Sequence, residues 1–169
     1  LYGQRLACLE HNLAELRAHV DGVAESSADV EGFVVGSPGE LPVPPPSDCD
    51  NVTYLRAQLP PPPAAARAEI DALMAELHQV RAKLRFAGNA SIAGAPADPS
   101  QDLARLGELR ARLLALGHPA GAGEVGYWHG AFLSWFDRAD ESARVLREVA
   151  AQAERTRDDV LLVKALAAQ

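Results

Sequence analysis

Residues 117–146 read GHPAGAGEVGYWHGAFLSWFDRADESARVL, and the reading of this run decides the fold. Both tryptophans, and five of the chain's nine aromatic residues, fall between positions 127 and 136. On a helix, Tyr127, Trp128, Phe132, Trp135 and Phe136 cover well over half of the circumference, so they cannot all enter one narrow seam. Trp128, Phe132 and Trp135 are therefore expected to pack between helices, while Tyr127 and His129 are candidates for an open groove that takes a peptide. The tetrapeptide DRAD at 137–140 turns the chain into a further helix that runs to about Arg155.

The same run contains GAGEVG at 121–126, which satisfies the dinucleotide pattern GxGxxG. That chemistry needs a strand before the glycines, so that the turn delivers a phosphate to a helix N-terminus. Here LRARLLALGHPA precedes them, a helix and its stop, so no nucleotide or other cofactor is expected. No VAIK, HRD or DFG pattern occurs, and no histidine has a Ser or Cys nucleophile near it at a plausible elbow. No catalytic residue is assigned.

Outward from this run the chain reads as helix after helix. Leu6, Leu9, Leu13, Leu16, Val20 and Val23 follow one another at steps of three and four, the period of one helix face, until Gly22 to Ser27 weaken the pattern. Ile70, Leu73, Leu77, Val80 and Leu84 repeat it after the spacer LPPPP, with Gly88 as the expected stop. Leu106, Leu109, Leu113 and Leu116 mark another helix that ends at Gly117, and a last one begins at Val160. Short helices are expected at 29–35 and 51–58, and ASIAGAPADPS at 90–100 reads as a surface loop. No stretch alternates as a strand would. The expected fold is all-α: helical hairpins in a short array over residues 60–169, preceded by a helical segment with cysteines and a proline-rich linker over 1–59.

Sliding the chain along itself until Leu106 meets Leu146 also sets Leu109 over Val149 and Leu113 over Ala153. GAFLSWFDRADESARVLREV resembles the tetratricopeptide repeat: Gly130 and Ser142 take its small positions, Leu146 its large one, and Leu133 stands where a Tyr is usual. Small residues at 130 and 142 would let two helices approach closely. The usual Trp position falls on Gly126, a departure from the pattern.

With a net charge of -7 and basic residues spread along the helices, the chain lacks the footprint of a nucleic-acid binder. Its longest uncharged runs reach about 12 residues, short of the length that spans a bilayer, so no membrane insertion is expected. The start carries no signal-peptide pattern. Without an initiator Met, opening in one helical pattern and stopping in another, the sequence reads as a piece of a longer protein. Cys8 and Cys49 lack metal-site spacing, which leaves a disulfide and two unrelated thiols both open. His11, Glu15 and His19 lie four apart on one helix face and could offer ligands to a metal, although a solvated polar face explains them as well.

A wider resemblance rests on LYGQRLACLEHNLAELRAHVDGVAE, SDCDNVTYL, the proline run before ARAEIDALMAEL, and LLALGHPAGAGEV. These look like the region after the kinase domain in bacterial serine/threonine protein kinases of the myxobacterial type, where a membrane-spanning helix leads to a cysteine-containing helical segment and then tetratricopeptide repeats. The resemblance implies an extracytoplasmic location, tethered through an upstream spanning helix. It also favours a bridge at Cys8, either to Cys49 or to a cysteine upstream. A bacterial source makes the sequons at Asn51 and Asn89 idle. The implied function is a protein- or peptide-binding sensor or scaffold. The alternatives are a structural or oligomerisation spacer that self-associates and, further off, a helical metal-binding protein.

Overall fold

The computed structural model describes residues 2–25, 49–51, 64–92 and 98–169. Among the described residues the regular structure is entirely helical: α1 (Tyr2–Glu25), a 3-10 turn (Ala64–Ala66), α2 (Arg67–Ile92), α3 (Ser100–Ala115), α4 (Pro119–Trp135), α5 (Ala139–Thr156) and α6 (Asp159–Ala167). The short helices expected at 29–35 and beyond Asn51, and the proline runs, lie outside the described residues. Contacts divide the chain into two compact units, Leu1–Gln58 and Leu59–Gln169.

In the first unit, Cys8 of α1 is joined to Cys49 by a disulfide, with the Cα atoms 5.6 Å apart. Asn12 Nδ2 donates to Cys49 Sγ at 3.5 Å, and Arg5 pairs with Asp50. The 49–51 stretch is thus held against one flank of α1 by a covalent bond and two polar contacts.

In the second unit each helix packs on the next, and α4 additionally touches α2 and α6. The stripes read from spacing become the core: Leu77 and Leu84 of α2, Leu106 and Leu113 of α3, Phe132 of α4 and Leu146 of α5 are fully buried. The residues that the self-match pairs, on α3 and α5, all have no exposed surface. Burial of this kind contributes about 1.5–3 kcal/mol for each large aliphatic side chain.

The turns share one geometry. Gly117, Asp137 and Arg157, evenly spaced along the chain, each end a helix in the left-handed conformation, with φ of 69°, 59° and 56°. The following N–H groups, of His118, Arg138 and Asp158, each donate back to the carbonyl five positions earlier at 2.9 Å. This closes the last helical turn and satisfies carbonyls that the helix would otherwise leave bare.

Gly88 does not stop α2, contrary to the expectation. The helix runs on to Ile92, taking in the start of the expected loop, and Gly88 sits inside it with the Trp135 ring over its Cα. A Cβ there would lie 3.2 Å from Trp135 Cε3, so the missing side chain makes room for an indole instead of ending a helix. The glycines of GAGEVG likewise lie within α4. A Cβ on Gly126 would come 2.6 Å from Val149 Cγ2, and one on Gly130 would come 2.6 Å from Leu146 Cγ. Close approach to α5 accounts for Gly126, where the repeat pattern has Trp, and for Gly130, while Gly121 lies against Met74 of α2 and Gly123 against Leu161 of α6. Ser142 Oγ donates to the Gly130 carbonyl at 2.8 Å across the same seam, which pairs a hydroxyl that would otherwise be buried bare.

Candidate binding surface

Helix α4 is the centre of the second unit, and most of its circumference is taken. Trp128 and Trp135 meet α2, where Arg81 lies 3.8 Å and Arg85 5.9 Å from the centroid of the Trp128 ring and Gly88 accepts Trp135. His129 meets α3 beside Gly107; Gly126 and Gly130 meet α5; and Gly123 meets Leu161 of α6. With about 100° between successive residues, one face is left over, made of Ala120, Glu124, Tyr127, Ala131 and Ser134. Ser134 is exposed and the other four are partly buried. The strip runs along α4 between the side that meets α2 and the side that meets α6.

Tyr127 lies at the middle of the strip, partly packed on the core, with its ring edge-on to Trp128 at 5.2 Å between centroids and an interplanar angle of 69°. Trp128 continues to Phe132 at 5.8 Å, and Phe132 to Trp135 at 5.3 Å in a T-shaped pair. Aromatic pairs of this geometry add about 0.5–1.5 kcal/mol beyond burial, and an Arg over a desolvated indole adds about as much again. Trp128 and Trp135 on α4 face Arg81, Arg85 and Gly88 on α2, with Phe132 between the two indoles, and Trp128 backs Tyr127. The exposure of Trp135, at 51 %, leaves half of that indole on the surface at the end of the row.

His129 is not beside Tyr127. It lies on the opposite flank of α4, against Gly107 of α3 and near the charges of Arg110, Arg138, Arg144 and Glu141. Burial, reinforced by the three arginines and opposed by Glu141, pushes its pKa from the ordinary 6.5 down to about 4, so it is neutral at physiological pH. Two steps along a helix amount to more than half a turn, so Tyr127 and His129 face different flanks of α4.

Of the possible metal ligands, His11 Nε2 and Glu15 Oε1 lie 3.5 Å apart on α1. The His19 side chain lies outside the described residues. Asn89 is within α2 and Asn51 follows the disulfide. The glycine pattern at 121–126 is helical throughout and presents no loop to a phosphate.

Sequence reasoning missed the Arg81 and Arg85 cover of Trp128. These arginines are four apart on α2, which does signal one helix face, but only the packing of α2 on α4 brings that face to an indole far along the chain. No described helix is long and apolar enough to cross a membrane. Protein-family models, curated proteins and solved structures were each compared with the chain, and none matches.

Proposed function

We propose that the chain is a protein- or peptide-binding helical repeat module, with the strip around Tyr127 as its contact surface. The observation that carries this reading is the open face of α4: an aromatic ring, braced from behind by Trp128 and Arg81, stands at the middle of a strip bordered by two further helices. Such rigid aromatics give large contact area at low entropic cost, and they dominate many interfaces. What supports the repeat is the even interval between the helix-ending turns at Gly117, Asp137 and Arg157, together with the self-match of α3 and α5. The hairpin period, roughly 40 residues, is longer than the roughly 34 residues of a tetratricopeptide repeat, so the units are extended relatives of that pattern. The small residues Gly130 and Ser142 occupy the close contact which the pattern requires.

In this reading the module serves as the sensor or scaffold region of a membrane-spanning serine/threonine protein kinase, on the extracytoplasmic side, without catalytic residues or a cofactor of its own. The Cys8–Cys49 bond suits an oxidising compartment. The test is selection of peptides from a random display library on the folded chain, followed by titration of the selected peptides against Tyr127→Ala. Weakening of at least tenfold, with an unchanged far-ultraviolet circular dichroism spectrum, supports the strip. Equal binding of every selected peptide to the variant rules it out.

A further inference from the structure

Helix α1 and helix α2 carry the same apolar spacing but meet different fates. Ile70, Leu73, Leu77, Val80 and Leu84 of α2 are no more than 6 % exposed, packed in the core of the second unit. Leu6, Leu9, Leu13, Leu16 and Val20 of α1 are 39–55 % exposed, and Tyr2, which continues the row, is more exposed still. More than a third of each of these residues is open to solvent. The disulfide partner Cys49 is held at Cys8 and Asn12, off the line of the row.

The row has a specific shape. Its strict alternation of steps of four and three from Tyr2 to Val20 puts the apolar residues at the a and d positions of heptads, with Ala7, Glu10, Ala14 and Arg17 between them. Such a stripe suits the seam of a two-stranded coil; the buried row of α2 has the same spacing, so it is the exposure of the row on α1 that leaves a seam open there. About three heptads, roughly 30 Å of helix, are present, the lower limit at which the pattern sustains a coil.

The edges of the seam suit a copy of the same helix. With Leu6 at a, the flanking e positions hold Glu10 and Arg17, while Arg5 and Asn12 on the g side are engaged by Asp50 and Cys49. In an antiparallel pair Glu10 of each helix falls opposite Arg17 of the other, so opposite charges meet along the open edge of the seam. We infer that α1 is a self-association surface, pairing through Leu6, Leu9, Leu13, Leu16 and Val20 with α1 of a second copy of this chain. The pairing goes beyond the peptide-binding reading and does not depend on it.

A seam of this length predicts a reversible dimer of modest affinity. Sedimentation equilibrium of the full chain, unreduced, over roughly 1–500 µM is expected to show monomer passing to dimer. Leu9→Lys with Leu16→Lys, both at exposed d positions, is expected to keep the helical circular dichroism and weaken the dimer at least tenfold. Glu10→Lys, which turns an opposite-charge pair into a like-charge one, is expected to weaken it severalfold and more so at low salt. Val163→Lys, on the exposed side of α6, serves as the control and leaves the dimer unchanged. A chain that stays monomeric across the range overturns the inference and indicates that the row is covered by the chain itself. A dimer that survives the double leucine substitution, or one abolished by Val163→Lys, overturns it as well.

Discussion

Arg157 is the residue whose backbone carries the clearest cost. At φ 56° it adopts the left-handed conformation that ends α5, a position where glycine meets no steric penalty and an ordinary side chain loses about 1–2 kcal/mol. Arg157→Gly is expected to raise stability by about 1 kcal/mol, read as a rise of roughly 3 °C in the thermal midpoint. Gly130 is the reverse case. Its neighbour Leu146 is fully enclosed and cannot swing aside, so a methyl group 2.6 Å from Leu146 Cγ must force the α4–α5 seam apart. Overpacking costs about 1–3 kcal/mol, against which alanine recovers up to about 1 kcal/mol of helix propensity. Gly130→Ala is therefore expected to destabilise by about 1 kcal/mol in urea titration, although most glycine-to-alanine changes inside helices stabilise.

At the scale of elements, α6 depends most on its cap. It has nine residues, too few to be stable by propensity, and it is anchored by burial of Leu161 and Ala165. The Asp158 carboxylate accepts from the Leu161 N–H at 3.0 Å, which satisfies one of the bare donors at the helix start. Asp158→Ala is expected to cost about 1 kcal/mol and to speed hydrogen exchange in α6 selectively. Helices α2 and α3 are tied by Arg105 to Glu76, at 2.9 Å between Nη2 and Oε2, and by Arg112 to Glu69 at 2.6 Å. The second pair is exposed, where such a contact contributes at most about 1 kcal/mol, and the first is part-buried. They set the alignment of the two helices more than their stability.

For the molecule as a whole, acid acts in two stages. The folded pKa of His129 lies below its unfolded value, so its contribution to stability is intact above pH 6.5 and is lost as pH falls from 6.5 towards about 4, where the unfolded chain takes up a proton that the folded one refuses. Allowing for the part of the ring that meets solvent, the loss is on the order of 1–2 kcal/mol. Hydrogen bonds from arginines hold Glu76 and Glu148 below the usual carboxylate range, and that contribution goes only below about pH 4.5. Stability measured from about pH 7.5 to 5 is thus expected to fall in the natural chain and to fall less steeply in His129→Gln, where His118, also held below its ordinary value by burial, still contributes. Reduction acts elsewhere. The Cys8–Cys49 bond closes a loop with a sequence separation of 41, a constraint worth on the order of 4 kcal/mol, and it lies within residues 1–58. Both tryptophans lie in the other unit. A reducing agent is expected to lower helix content by circular dichroism while tryptophan emission keeps its wavelength.

The sequence by itself determined most of the helices, because apolar residues at steps of three and four leave one face to bury, and some of their ends, such as Gly117, where a left-handed glycine stops α3. It also determined which leucines could form a core. What it could not determine is which neighbour a face meets. Gly88 reads as a stop, yet lies inside α2 under Trp135. GAGEVG matches a phosphate-loop pattern, yet its glycines lie within a helix that approaches its neighbours closely. Tyr127 and His129 read as one groove, yet more than half a turn separates them around α4, and only the arrangement of the neighbouring helices sets the second against α3 while the first falls between α2 and α6. The leucine rows of α1 and α2 are equivalent in sequence, and only the fold buries one and leaves the other exposed. Period is a local property, set by the geometry of a single helix; contact is a property of several helices together, which spacing along one chain does not specify.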